Sequence, residues 1–358
     1  MTTFENVSLP HPPFYTIPNI SNLRDCALYP SGLQTTNPPG EVRSGILFRS
    51  ADVSKLSSSG WQSLKDLGIT HIFDLRSKPE IDKSQSSAPS PMAWVTDMEK
   101  EGICRTWTPV FEESDYSPER LAERFLKYMD DTPHGFVEAY TDILRHAGPA
   151  FRTILRHLAG LRPPVDRGEQ VLFLSNDPLA SAPTEDSPFS GNKVAEGVLV
   201  HCTGGKDRTG VFYAVLFSFL GVGKDIIAGE YQLTETGLMH IREEQVKRLT
   251  GYPGYKRFLL SMVNGKKASS EHFAEVLRSR QEGKEAADAE DEIEVPEEAL
   301  EKGRQAALRM LGARKESMLG ALEVLEREWG GAEGYLKKEC GLEDEELKGL
   351  KRGLVVRS

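Results

Sequence analysis

Residues 198–212, VLVHCTGGKDRTGVF, pass from an apolar run through a polar, glycine-rich stretch into a second apolar run. That change of character admits few backbone paths. Val198, Leu199 and Val200 suit a short buried strand, and Val211 to Phe217 continue as a buried helix. The polar residues between them are therefore a strand-to-helix turn. A helix beginning near Arg208 or Thr209 leaves its first amides without intrahelical partners, and the loop's own amides can converge on the same point. The positive end of the helix dipole completes an anion cup. Gly204 and Gly205 suit its sharp backbone path, because no Cβ obstructs it.

The sequence places Cys202 at the entry of this cup and Arg208 at its exit. A thiol facing N–H donors, a helix N-terminus and a guanidinium is stabilised as thiolate, the nucleophilic form. Arg208 offers a planar fork that matches two phosphate oxygens, which lysine cannot imitate. Such a loop can hold a phosphoryl group and attack it. Three other readings compete. A cysteine beside a core strand is often just a small buried hydrophobe. A nucleotide-binding loop needs Ser or Thr after Lys206 and Gly at 200, where Asp207 and Val200 stand. A zinc site is opposed by His201 and Cys202 being neighbours on a strand, pointing to opposite faces, with no C-x-x-C pair in the chain.

HCTGGKDRTG resembles the signature loop of the cysteine-dependent phosphatases. It is most similar to the branch written HC-x-x-GKDRTG, the tyrosine-phosphatase-like family of bacteria and fungi. Members of that family act on phosphotyrosine and in some cases on phosphoserine, phosphothreonine or phosphoinositides. Gly204 departs from the pattern, since the family commonly has Ala there. PNISNLRD at 18–25 resembles the family's N-terminal element, and residues 43–80 resemble its second block. Residues 317–354 look like its C-terminal helices.

The resemblance implies an α/β fold of the cysteine-dependent phosphatase type: a mostly parallel sheet flanked by helices, with extra C-terminal helices. It implies a phosphomonoester hydrolase in which Cys202 forms a cysteinyl-phosphate that water then hydrolyses. Thr203, Gly204, Gly205, Lys206, Asp207 and Arg208 would hold the substrate's phosphate. Asp207 would donate the proton to the leaving oxygen; the Thr209 hydroxyl would donate to the departing sulfur or else cap the helix. The chain has no Trp-Pro-Asp triplet, and TWTPVFEESDY at 106–116 makes Asp115 the rival acid. Neither metal nor cofactor is called for. Arg76 is read as structural, close enough in sequence to pair with Glu80. A phosphorylated protein is the expected substrate and a phosphoinositide the alternative, favoured by Lys206. A catalytically silent phosphate-binding module would be betrayed by loss of Cys202 or Arg208, and both are present.

The 358 residues, 39% hydrophobic and 27% charged, suffice to bury a full core. The net charge of −10 argues against a nucleic-acid partner without excluding a focused anion site. No run approaches the roughly 20 apolar residues of a membrane span. Cysteines at 26, 104, 202 and 340 show no framework spacing, which leads to the expectation of a reducing, cytoplasmic setting.

Along the chain, Ser57 or Ser58 can cap a helix carrying Trp61, Leu64 and Leu67, ended by Gly68. Ile69 to Leu75 follow as a strand. Phe136 to Leu161 carry apolar residues at helical spacing, broken by Gly148-Pro149. The expected organisation is a phosphatase domain at 1–278 with an irregular N-terminus and a disordered insertion at 175–196. An acidic linker follows at 279–302, then C-terminal helices at 303–358 that pack on the domain. Residues 281–302 hold ten acidic and two basic side chains, the composition of a solvated segment.

Overall fold

Ser57 opens the first helix as predicted: its side chain accepts a hydrogen bond from Gly60 N, and α1 runs over Ser58–Asp66. Gly68 follows with φ of +83°, and β5 (Ile69–Asp74) begins immediately. The computed structural model describes residues 9–84, 92–130, 132–164, 196–250, 274, 278 and 295–357. The expected insertion at 175–196, save Glu196, and most of the acidic segment lie outside the described residues. Of the latter, residues 297–302 are helical, because α10 occupies Glu297–Leu311.

The central sheet contains β1 (Arg24–Asp25), β4 (Leu47–Ser50), β5, β6 (Cys104–Trp107) and β7 (Gly197–His201), in the order β1-β4-β7-β5-β6. All neighbours are parallel except β1 against β4. Because side chains alternate across a strand, the sheet feeds two cores. Val198, Val200, Phe73 and Leu47 face one, while Leu199, Ile72 and Phe48 face the other. The second core is filled by Trp61 and Leu64 of α1 and by Trp94 and Met98 of α3 (Ala93–Lys100).

The larger core lies under α5 (Pro133–His146), α6 (Gly148–Ala159), α7 (Asp207–Phe219) and α8 (Lys224–Gly237). The predicted break falls at Ala147, with the Gly148-Pro149 pair starting the second helix. Against this layer pack α11 (Lys315–Trp329), on α5 and α8, and α13 (Asp344–Leu354), on α6. Tyr335 of α12 (Ala332–Lys338) donates its hydroxyl to Leu144 O at 2.7 Å. There is also a second, three-stranded sheet. It joins the hairpin β2 (Gln34–Thr36) and β3 (Pro39–Val42) to β8 (Val355–Val356) near the end of the chain.

Two short helices frame the mouth of the central sheet. They are α2 (Lys78–Ser84), just after β5, and α4 (Pro118–Met129). A smaller apolar cluster joins α4, α9 (Met239–Thr250) and α10 through Ala122, Met129, Val246 and Ala307. Among the described residues no helix is long and apolar enough to cross a membrane.

Candidate active site

The signature loop leaves the carboxyl end of β7 and enters α7 at Asp207, where the crevice of an open parallel sheet is expected. Five consecutive carbonyls of this loop are tied to the scaffold behind it. Cys202 O meets the His201 ring at Nδ1, and Thr203 O accepts from Asp52 N at 3.0 Å. Asn22 Nδ2 donates to Gly204 O and Gly205 O, both at 3.3 Å. Arg49 Nη2 donates to Gly205 O at 2.7 Å and to Lys206 O at 3.3 Å, and Lys206 O also takes Gly210 N. The amides of residues 203–208 find no acceptor among the described residues. With the carbonyls committed outward, those donors are left for an anion.

The loop's two glycines are not equivalent. Gly205 has φ of +61°, and a Cβ there would meet Ser50 O at 2.0 Å, so no other residue fits. A Cβ at Gly204 would meet only Lys206 Cβ at 3.8 Å and Leu238 at 4.0 Å, ordinary contacts that leave room for alanine.

The clamps behind the loop are themselves held. Glu230 of α8 accepts from Arg24 Nε and Arg49 Nη1, each at 2.7 Å, in a cluster without solvent exposure on either arginine. Burial alone would raise the Glu230 carboxyl, and the two guanidiniums outweigh it and bring it down. Arg24 also donates to Asn22 Oδ1, which turns the Asn22 NH2 toward the loop. The N-terminal block NLRD thus serves the loop, a role that its sequence alone did not disclose.

Arg208 is met by Glu80 of α2. Its Nη1 and Nη2 reach the two carboxylate oxygens at 2.5 and 2.6 Å. Thr203 Oγ1 and the Tyr116 hydroxyl donate to the same carboxylate, each at 2.6 Å. Burial works against the Glu80 charge, but Arg208 and these donors hold its carboxyl well below the usual range. Burial, together with Glu80 beside it, pushes the Tyr116 hydroxyl up to about 12.

The expected pairing of Arg76 with Glu80 is corrected by this arrangement. Arg76 folds back onto Asp74 at 2.8 Å and across to Asp52 at 2.6 Å, leaving Glu80 for the loop. Asp74 is buried, which would raise its carboxyl. His201, Arg76 and Arg105 reverse that and hold it far down. His201 itself is lowered, chiefly by burial.

Cys202 is buried at the base of the loop. Asp207 stands at the first position of α7, where its Oδ1 accepts from the Tyr140 hydroxyl at 2.9 Å. Thr209 Oγ1 is buried and has no hydrogen-bond partner among the described residues, a spare donor in that same first turn. Lys206 is placed differently from the expectation of a phosphate contact. Its ammonium donates to Met310 O at 2.6 Å and Gly312 O at 3.1 Å, at the end of α10, and lies near the Phe136 ring. Asp115 is spent within its own turn, accepting from Glu112 N at 3.1 Å, and its neighbour Tyr116 is the residue that reaches toward Arg208. Among the described residues no group of three or more His, Cys, Asp or Glu side chains is gathered that could hold a metal ion.

A sequence model of the tyrosine phosphatase family matches residues 15–168 and 190–356. The chain belongs to that family. Among curated relatives of this tyrosine phosphatase family member is the triple specificity protein phosphatase PtpB of Mycobacterium tuberculosis. It is 24% identical over 56% of this chain and 65% of its own length. A tyrosine-protein phosphatase of Nostoc commune is 24% identical over 58% of this chain and 53% of its own length. The chain thus spans between about half and two thirds of these relatives.

Proposed function

We propose that the chain hydrolyses phosphomonoesters, most fittingly phosphotyrosine in proteins, through a cysteinyl-phosphate. The observation that carries this reading is the set of five tied carbonyls behind the loop, which presents a run of unpartnered amides beside Cys202 and Arg208. Preorganised donors of this kind stabilise the charge that develops on transferring phosphoryl oxygens.

In the first step the Cys202 sulfur bonds to phosphorus in line as the P–O bond to the leaving group breaks. Asp207 gives its proton to the departing oxygen. The loop amides and Arg208 hold the equatorial oxygens, with Glu80 fixing the plane of the guanidinium. In the second step water attacks phosphorus, the Asp207 carboxylate takes its proton, and the thiolate leaves, met by the spare hydroxyl of Thr209. Supporting breadth of substrate is the name of the mycobacterial relative, a triple specificity protein phosphatase. The ground for a phosphoinositide substrate is weaker, because Lys206 is engaged at the end of α10.

The test is phosphate release, in the presence of a chelator, from a phosphotyrosine peptide, phosphoserine and phosphothreonine peptides and a phosphoinositide panel, with Cys202→Ser alongside. We expect release from the phosphotyrosine peptide, abolished by Cys202→Ser while the phosphopeptide still binds. More than a few per cent residual turnover in that variant would remove the cysteine from the mechanism. Release confined to phosphoinositides would replace the substrate assignment.

A further inference from the structure

The proposed acid, Asp207, does not stand alone. Its Oδ1 accepts from the Tyr140 hydroxyl of α5 and lies 3.5 Å from Lys206 Nζ, while Oδ2 makes no hydrogen bond among the described residues. Tyr140 is in turn hydrogen-bonded to the hydroxyl of Tyr231 on α8, and both side chains are fully buried. A phenol has one proton to give. Since Tyr140 spends its proton on Asp207, the bond between the tyrosines has a fixed direction, with Tyr231 donating and Tyr140 accepting. The chain of donors therefore runs from Tyr231 through Tyr140 to Oδ1.

The place of Tyr231 is set by the last glycine of the signature. A Cβ at Gly210 would meet ring atoms Cδ2 and Cε2 of Tyr231 at 2.8 and 3.0 Å, so the ring lies directly on the first turn of α7. The two rings meet edge to face with centroids 6.1 Å apart. Tyr231 thus packs against the same first turn of α7 that carries Asp207.

We propose that Tyr140, held by Tyr231, is a positioning residue that locks the Asp207 carboxyl so that Oδ2 carries the transferred proton. The inference rests on the reading of Asp207 as general acid. Oδ1 is blocked as a proton carrier, because a proton there would face the one Tyr140 donates. The donor chain keeps the same direction whether Asp207 is protonated on Oδ2 or ionised, so the carboxyl gives and takes a proton without rotating. Hydrogen bonds linked in one direction also polarise one another, which stiffens the arrangement.

The experiment measures turnover on aryl phosphates of graded leaving-group pKa, and on a phosphotyrosine peptide. It uses the full chain, Tyr140→Phe, Tyr231→Phe, Asp207→Asn and the Tyr140→Phe/Asp207→Asn pair, with vanadate inhibition as a check on the loop. We expect Tyr140→Phe to lower kcat on the phosphotyrosine peptide by about 10-fold, the scale of one hydrogen bond to a charged group. The loss should shrink on strongly activated esters, with KM and vanadate inhibition changed by less than about twofold. Tyr231→Phe should give a smaller loss of the same shape, and the paired variant should be no slower than Asp207→Asn. An equal loss on every leaving group, or additive losses in the paired variant, overturns the proposal. If Tyr140→Phe does not fold, the Tyr231→Phe profile decides by the same criterion. Steepening in Asp207→Asn alone sinks the positioning role and leaves the acid assignment standing. A flat profile in Asp207→Asn removes both.

Discussion

Glu230 offers the most direct test of how the loop is held. Its carboxylate is the shared anion for Arg24 and Arg49, and neither guanidinium touches solvent. Glu230→Gln keeps the shape and can still accept from one arginine, but its NH2 must then face a donor of the other. One charge-assisted bond becomes a donor against a donor, and two buried cations share no anion. Breaking a buried pair in this way costs about 3–5 kcal/mol. At roughly 2–4 °C per kcal/mol for large domains, the melting temperature should fall by about 10 °C.

A second consequence is specific to the site. Arg49 Nη2 holds Gly205 O and Lys206 O, so a displaced Arg49 lets the loop slacken and the vanadate inhibition constant should rise by about 10-fold. Thermal unfolding followed by circular dichroism reads the first effect. Inhibition measured well below both melting temperatures reads the second. Replacing all three charged groups by Met and Leu separates them, because an apolar core can recover stability but cannot bind the loop's carbonyls. A melting temperature within about 2 °C of the parent in Glu230→Gln, with unchanged inhibition, would refute the reasoning.

Two further predictions concern the loop and its clamp. Gly205→Ala should abolish vanadate binding, since its Cβ would strike Ser50 O, whereas Gly204→Ala should change turnover by no more than about twofold. Glu80 is held below its ordinary value of 4.5, so its stabilisation is complete above that pH and drains away as the pH falls below it toward the folded-state value. Glu80→Gln should therefore be less stable at neutral pH and show a shallower acid limb in a stability–pH titration; an acid limb as steep as the parent's would show that the pair with Arg208 does not contribute.

The parts of the fold that were legible in the sequence are those written in local grammar. Ser57 and Gly68 bound α1 because capping and the left-handed turn are decided within a few residues. The loop from Cys202 to Arg208 is legible for the same reason, as is the break before Gly148. What escaped depends on pairs far apart along the chain. Glu80 sits four residues after Arg76, and sequence distance favours that pair, but Asp74 and Asp52 claim Arg76 first and Arg208 takes Glu80. Asn22 and Arg49 lie in blocks whose resemblance was evident, yet nothing local says that their donors reach the backs of Gly204, Gly205 and Lys206. The charge of Lys206 within the loop points to the substrate, but the end of α10, a hundred residues on, takes its ammonium.

The pairing of β3 with β8 bears on how such a chain is made. Glu41 and Val42 find their partners in Val356 and Val355, so β3 waits for a strand made much later before its edge is covered. A growing chain emerges from the ribosome in order, and contacts between distant segments form only when both have been synthesised. The loop from Cys202 to Arg208 leaves the ribosome well before α11, α12 and α13, which finish the layer over α5, α6 and α8. During that interval the β3 edge and the helices of that layer are uncovered, and a nascent chain stalled there is open to wrong strand pairing.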